Sequence, residues 1–256
     1  MPPHPVLVIQ HEEGCPPGRL VTWAAATRTA LDVRRCHDGD PLPTDLQDHG
    51  GLIVLSGHMG VYEDSKYPWL PTVKSLVIQA VLQHVPFLGL CLGHQIAGLA
   101  LGGRVAAHPH GRVRSLQEVA PTPALSDDPI MSVLGPHGLI VQWNADVLAD
   151  APGGSVVLSR DQWGQIQIVR FAPRAWGIQG HPEAHAGIVA GWTQDWEVTA
   201  DVAARDKARE EFIGQIRRHD AEVEARWAPV LRGFFDLTQR NGIWAPGRSS
   251  ASPPGI

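Results

Sequence analysis

One cysteine in this chain sits where a nucleophile would. Cys91 lies in "PFLGLCLGHQIAGLALGG" (86–103), flanked by Gly89 two residues before and Gly93 two residues after. The run before it reads as a buried strand and the run after it as an apolar helix, so Cys91 falls on the turn between them. A strand, a G-x-C-x-G turn and a helix give the geometry of a nucleophile elbow: the turn holds the nucleophile in a strained conformation, and glycines on either side relieve the crowding. The helix that starts there points its N-terminus at the sulfur, favouring a thiolate and offering free N–H groups to an oxyanion. A buried structural cysteine at a glycine-assisted helix start would produce the same pattern.

A cysteine nucleophile requires a base, and the base requires a group to orient it. With 13 histidines in the chain, a chance partner is easy to find. The informative candidate is "GIQGHPE", where His181 follows a short apolar strand and Glu183 lies two residues on, across Pro182. Pro182 biases His181 towards extended backbone, and side chains two apart in an extended segment project to the same side. Glu183 could therefore reach one nitrogen of His181. Taken alone, the tripeptide would equally serve as a solvated surface turn.

The remaining composition narrows the field. The chain has 256 residues, 43% apolar and 18% charged, with a net charge of −5. That suits a globular protein and disfavours nucleic acid or an anionic membrane surface as partner. There is no apolar run of about 18 residues and no basic stretch before the first apolar run, so neither a membrane span nor a signal peptide is expected. Three cysteines in a chain of this length argue against a disulfide scaffold and for a reducing, cytoplasmic setting, with Cys15 and Cys36 read as structural thiols. "HPH" (108–110) and "HPEAH" (181–185) hint at metal ligation, but their prolines break the helical register that an i,i+4 ligand pair needs. No metal or cofactor is expected.

The elements that must position these groups alternate. "PVLVIQ" (5–10), "GLIVLSG" (51–57) and "PFLGL" (86–90) read as buried strands; "GRLVTWAAATRTA" (18–30) and "YPWLPTVKSLVIQAVLQHV" (67–85) read as helices. Apolar strands alternating with helices predict an α/β fold with a mostly parallel central sheet flanked by helices. After residue 103 the shorter runs "GRVAAH", "RVRSLQEVAP", "GLIVQWNADVL", "SVVLSR" and "GQIQIVRFAP" predict strands, some of them in a smaller antiparallel sheet. From about Thr199 the pattern is helical, with Phe212, Ile216, Val223, Trp227, Val230, Phe234 and Leu237 on one stripe. A single domain over 1–244 is expected, its helical extension (199–240) packed on it, and the 245–256 tail is expected to be disordered.

"GLCLGHQ" followed 90 residues later by "GIQGHPE" resembles the class I glutamine amidotransferases, a flavodoxin-like α/β family. "VLVIQHEEGCPPGRLVTW", "LSGHMGVYED" and "HDAEVEARWAPVL" are similar to its stand-alone, GMP synthase-like branch. The resemblance implies a γ-glutamyl thioester on Cys91, His181 as general base then acid, and Glu183 as its orienter. It also places an oxyanion hole at the backbone N–H groups of Gly57 and Leu92, and substrate contacts at Gln95, His58, Ser115, Leu116 and Gly180. Three positions depart from the family wording: Gly180 stands for an aromatic residue, His58 for a proline after Gly57, and Asn144, in "WNAD", for a histidine. A missing ring at Gly180 predicts room for a larger leaving group.

The expected substrate is glutamine or a γ-glutamyl compound, and the expected products are glutamate and ammonia or an amine. The sequence carries no G-x-x-x-x-G-K-S/T loop, so a synthetase that consumed the ammonia would be a separate chain. A free-standing γ-glutamyl amide hydrolase is the alternative. A non-catalytic binding protein on the same fold is a third reading, opposed by the presence of Cys91, His181 and Glu183 together.

Overall fold

The computed structural model describes residues 4–135, 138–192 and 202–239. Its strands are β1 (Val6–Gln10), β2 (Leu31–Arg35), β3 (Gly51–Val54), β4 (Phe87–Leu90), β5 (Arg104–Ala107), β6 (Val113–Glu118), β7 (Ala120–Pro121), β8 (Leu139–Asn144), β9 (Asp146–Asp150), β10 (Val156–Arg160), β11 (Ile166–Ala172) and β12 (Ala175–Ile178). Its α-helices are α1 (Leu20–Ala26), α2 (Leu70–Leu82), α3 (Leu92–Ala100), α4 (Ala186–Gly191), α5 (Val202–Arg218) and α6 (Asp220–Gln239).

Eight strands form the central sheet in the order β2-β1-β3-β4-β12-β11-β10-β7. The first five run parallel, and β11, β10 and β7 extend the sheet antiparallel. The expected smaller antiparallel sheet takes the form of two ribbons, β5–β9 and β6–β8.

The sheet is covered on both faces, which is why its strands are apolar without a break. Alternate residues serve opposite layers. Val6, Val8, Ile53, Leu88, Trp176 and Ile178 pack with Leu20 and Trp23 of α1 and Trp227 and Phe234 of α6. Leu7, Ile9, Leu52, Val54 and Phe87 pack against α2 and α3.

Two features differ from the sequence reading. β2 is an edge strand whose Asp32 and Arg34 pair at 2.8 Å across its outer flank. Edge strands tolerate such polar residues, and the apolar run that marks a buried strand is missing there. The apolar stripe expected from Thr199 is split between two helices that part at His219. Phe212 and Ile216 of α5 join a third cluster with Trp143 and Trp192, whereas Val223, Trp227, Val230 and Phe234 of α6 cover the sheet. The tail expected to be disordered (245–256) lies outside the described residues.

The topology already delivers two of the three catalytic candidates to one edge. β4 and β12 are parallel neighbours with Leu90 opposite Ile178, so Cys91 and His181 both emerge at the sheet's carboxyl edge. Gly57 follows β3, the neighbour of β4 on its other side. Ligands of open α/β sheets bind at this edge.

Candidate active site

Cys91 adopts φ 47° and ψ −102° between β4 and α3, one of three non-glycine residues with positive φ among those described. Its N–H donates to Ile178 O at 2.8 Å, tying the elbow to β12. The flanking glycines are sterically required. A Cβ on Gly89 would lie 2.5 Å from the Gly93 carbonyl, and one on Gly93 would run into the Val54 carbonyl of β3. The sheet, the turn and the helix approach so closely that neither position admits a side chain.

His181 follows β12 and is fixed by its N–H, which donates to Val141 O at 2.8 Å. Its Nδ1 lies 3.1 Å from Glu183 Oε1. Ser56 Oγ lies 3.1 Å from the same nitrogen and donates to Glu183 Oε1 at 3.5 Å. His181 Nε2 faces Trp143 O at 3.4 Å, and Cys91 Sγ lies 3.9 Å from that same carbonyl. The Trp192 ring packs over the imidazole with centroids 4.7 Å apart. Burial acts to lower the His181 pKa. The charge and hydrogen bond of the Cys91 sulfur, then Glu183, outweigh it and hold the imidazole at about 10. A buried imidazole held in its charged form beside Cys91 and Glu183 can supply a proton to a group bound in the cavity.

Glu183 is buried, and the backbone around it is clamped by Arg19 at the start of α1. Arg19, 7% exposed, donates from Nη1 to Pro182 O at 3.2 Å and to Ala184 O at 2.6 Å. Its Nη2 pairs with Asp220 and its Nε with Glu224 at 3.4 Å, both in the first turns of α6. The Arg19 N–H donates to Glu183 O at 3.0 Å. Gly18, at φ 54°, gives this carbonyl room, since a Cβ there would collide with it.

The loop that carries Gly57 packs against the Leu92 side chain at the start of α3. A Cβ on Gly57 would collide with Met59 Sδ and lie 3.1 Å from Leu92 Cδ2, so this backbone approaches the start of α3 as only glycine permits. His58, next in the loop, pairs through Nδ1 with Glu12 and lies 3.1 Å from Tyr67 Oη through Nε2.

Cys91, His181, Ser56, Gly57, His58 and Gln95 line one cavity of about 560 Å³, with Glu12, Cys15, Arg112, Arg114, Trp143, Asn144, Asp146 and Trp192 among its other walls. Asn144, at the departure from the family wording, donates to Asp146 O at 3.1 Å. Five sequence candidates are not among its walls: Glu183 and Leu92 adjoin His181 and Cys91 from behind, and Ser115, Leu116 and Gly180 lie elsewhere. Ser115 accepts a bond from Gln117 at 2.7 Å, and Leu116 packs into the hydrophobic clusters. A Cβ on Gly180 would lie 2.7 Å from Ile140 and 2.9 Å from Val141 O, so a side chain there would enter β8 and not the cavity. The missing ring at Gly180 thus does not open the pocket.

Four groups escaped the sequence reading. Arg19 carries no local motif; Ser56 stands beside Gly57 in "LSGHMG", and Gln179, in "GIQGHPE", donates to Cys91 Sγ at 3.6 Å. Cys15, read as a structural thiol, lines the cavity and donates to Glu12 Oε1 at 3.1 Å. Burial, then Glu12 and Cys91, push its pKa well above the usual thiol value and keep it protonated. The His108 and His110 rings lie 5.9 Å apart and both pack on Trp163, with His108 Nε2 3.4 Å from Asp161, but no group of three or more His, Cys, Asp or Glu among the described residues is arranged to hold a metal. Nor, among the described residues, is any helix long and apolar enough to cross a membrane.

Residues 25–189 match the family model described as glutamine amidotransferase class-I. Among curated proteins, a glutamine-hydrolyzing GMP synthase subunit of Methanosarcina mazei is 36% identical over 100 residues, 39% of this chain; the chain spans 51% of that relative's length. Gamma-glutamyl peptidase 5 of Arabidopsis thaliana is 25% identical over 210 residues, 80% of each chain. Among solved structures, a glutamine amido transferase from Methylobacillus flagellatus superposes with a TM-score of 0.80 at 26% identity, covering 94% of this chain and 98% of its own.

Proposed function

This chain belongs to the glutamine amidotransferase class-I family, and from that premise we propose that it hydrolyses the γ-amide of glutamine or of a larger γ-glutamyl compound through a thioester on Cys91. The observation that carries the reading is the positive-φ Cys91 sharing one cavity with a His181 whose Nδ1 sits 3.1 Å from Glu183.

The steps follow from the parts. The Cys91 thiolate attacks the γ-carbonyl carbon, and the N–H groups of Gly57 and Leu92 receive the developing oxyanion; losing one such donor typically costs about 10²–10³ in rate. The His181 imidazolium gives its Nε2 proton to the nitrogen, the C–N bond breaks and ammonia or an amine leaves. Neutral His181 then takes a proton from water, whose oxygen attacks the thioester. Collapse releases glutamate, restores the thiolate and leaves His181 protonated. Glu183 and Ser56 hold the ring with Nδ1–H facing the carboxylate, so the charge created on the imidazole always has a partner.

The cavity favours a second reading beside plain glutaminase action. About 560 Å³ lies within the ~300–1,000 Å³ typical of sites for drug-sized ligands, which glutamine does not fill. The peptidase relative points the same way. A γ-glutamyl compound with a sizeable leaving amine fits that space, and no ammonia acceptor is then needed. Under the glutaminase reading, ammonia passes to a separate synthetase; the GMP synthase relative, itself named as one subunit of its enzyme, supports that arrangement.

The deciding experiment offers purified protein glutamine, γ-glutamyl methylamide and bulkier γ-glutamyl amides, and measures released glutamate together with any adduct on Cys91. Turnover of at least one, with a γ-glutamyl adduct, is expected, and the ranking of kcat/KM separates the two readings. No turnover and no adduct with any of them would return the binding-protein alternative.

A further inference from the structure

Two buried side-chain amides connect the catalytic sulfur to a backbone carbonyl on the cavity wall. Gln179 is fully buried at the end of β12 and donates from Nε2 to Cys91 Sγ at 3.6 Å. Its Oε1 accepts from Gln95 Nε2 at 3.2 Å. Gln95, on α3 one turn past Cys91, also donates from Nε2 to Asp146 O at 2.8 Å. This employs the Gln95 amide nitrogen on the protein itself, a role the resemblance to the family does not supply.

A carboxamide can be turned either way, so an N–H directed at a sulfur needs something to fix its sense. Here the sense propagates from one end. Asp146 O is a backbone carbonyl and can only accept, so it demands the NH₂ of Gln95. That NH₂ in turn demands the oxygen of Gln179, which leaves the Gln179 NH₂ facing Cys91. Reversing either amide would set oxygen against oxygen or NH₂ against NH₂ in a buried site. Water, which would tolerate both orientations, has no access to the Gln179 end, which is fully buried.

We propose that Gln179, with its amide sense fixed by Gln95 and Asp146 O, is a catalytic residue that selects the thiolate of Cys91 by donating an N–H to it. The inference rests on the reading of Cys91 as nucleophile. A thiolate accepts such a bond strongly and a thiol weakly, so the donor shifts the balance towards the ionised sulfur. It approaches the sulfur from β12, while the N-terminus of α3 lies behind it. The same amide sits one residue before Gly180 and two before His181, so β12 delivers the thiolate donor and the base together.

The test is the pH dependence of Cys91 alkylation by iodoacetamide, followed by mass spectrometry of the Cys91 peptide. It needs no substrate. Cys15 and Cys36 interfere little, because burial raises the first well above the usual value and the second to about 12. Gln179→Leu should raise the alkylation midpoint by about one pH unit and lower kcat/KM at neutral pH about tenfold, the range expected for losing one hydrogen bond to a charged group. Gln179→Glu, isosteric and able to keep the bond from Gln95, should raise the midpoint further, since it sets a second negative charge beside the sulfur. Gln95→Leu, which leaves the sulfur contact in place but frees the amide sense, should shift it less and in the same direction. A wild-type midpoint in a folded Gln179→Glu protein, with Cys91 still reactive, would overturn the relay and leave the functional reading standing. An unreactive Cys91 in the wild type would overturn both.

Discussion

Arg19→Met tests how far the Arg19 side chain supports the segment that carries His181 and Glu183. The guanidinium is buried, and methionine keeps most of its stem while removing every donor, so little cavity is created. What disappears is a charged donor to Pro182 O and to Ala184 O, the carbonyls on either side of Glu183. Hydrogen bonds from charged groups contribute about 1.5–3 kcal/mol each. Asp220 and Glu224 are 48% and 39% exposed, so water replaces their partner and the ion pairs add little. Taking the lower end for both bonds, because one is long at 3.2 Å, the loss should total about 3 kcal/mol. With a urea slope of about 2 kcal/mol/M, the midpoint should fall by about 1.5 M. Because Glu183 then holds His181 less firmly, kcat should fall about tenfold or more with KM nearly constant; a displacement of about 1 Å costs on the order of 10²-fold. Arg19→Lys should rescue only partly, since one ammonium cannot reach both carbonyls and both carboxylates at once. Urea melts and steady-state glutamate release measure the two arms. A variant with kcat within twofold of wild type and an unmoved urea midpoint would refute the clamp.

Cys91→Ala should abolish glutamate release and the covalent adduct while preserving the fold, whereas Cys36→Ala should leave turnover unchanged. The same Cys91→Ala substitution removes the main group raising the His181 pKa, so the imidazole, titrating near about 10 in the wild type, should titrate far lower by NMR. Its raised value contributes stability that is complete below about 6.5 and fades as pH rises towards about 10. The wild type should therefore lose more stability than Cys91→Ala between pH 7 and 10 in urea melts, and parallel losses would count against the ion pair. Glu183→Gln should lower kcat without eliminating it, because the ring keeps a partner in Ser56 but loses the charge opposite Nδ1; wild-type kinetics would mean another group orients His181. Gly180→Phe should destabilise the fold and slow small and bulky γ-glutamyl amides alike, since the ring would enter β8. A selective loss of the bulky substrates would restore Gly180 to the pocket.

The parallel half of the sheet was legible because burial on both faces makes a strand apolar throughout, and β1, β3 and β4 are so buried. β2 escaped because an edge strand needs no such run. The C-terminal stripe reads as continuous because its apolar spacing carries across the junction at His219. Only the packing, with α5 against Trp143 and Trp192 and α6 against the sheet, separates its two halves.

Within the site, what could be read was what the chain encodes locally. Cys91 carries its glycines with it, and Glu183 stands two residues from His181, so short-range backbone geometry assembles most of the chemistry. Support arriving from a distance leaves no such trace. Arg19 meets Pro182, Ala184 and Asp220 across 163, 165 and 201 residues, and in sequence it is an ordinary arginine at the start of a helix. Direction is equally hidden. Gly180 adjoins His181 in sequence, yet along an extended segment neighbouring side chains take opposite faces. The residue beside His181 must therefore face away from the catalytic chemistry, while Gln179 and His181, two apart, share a side and both come to the sulfur. That alternation, applied to "GIQGHPE", gives Gln179 a greater claim on substrate chemistry than Gly180.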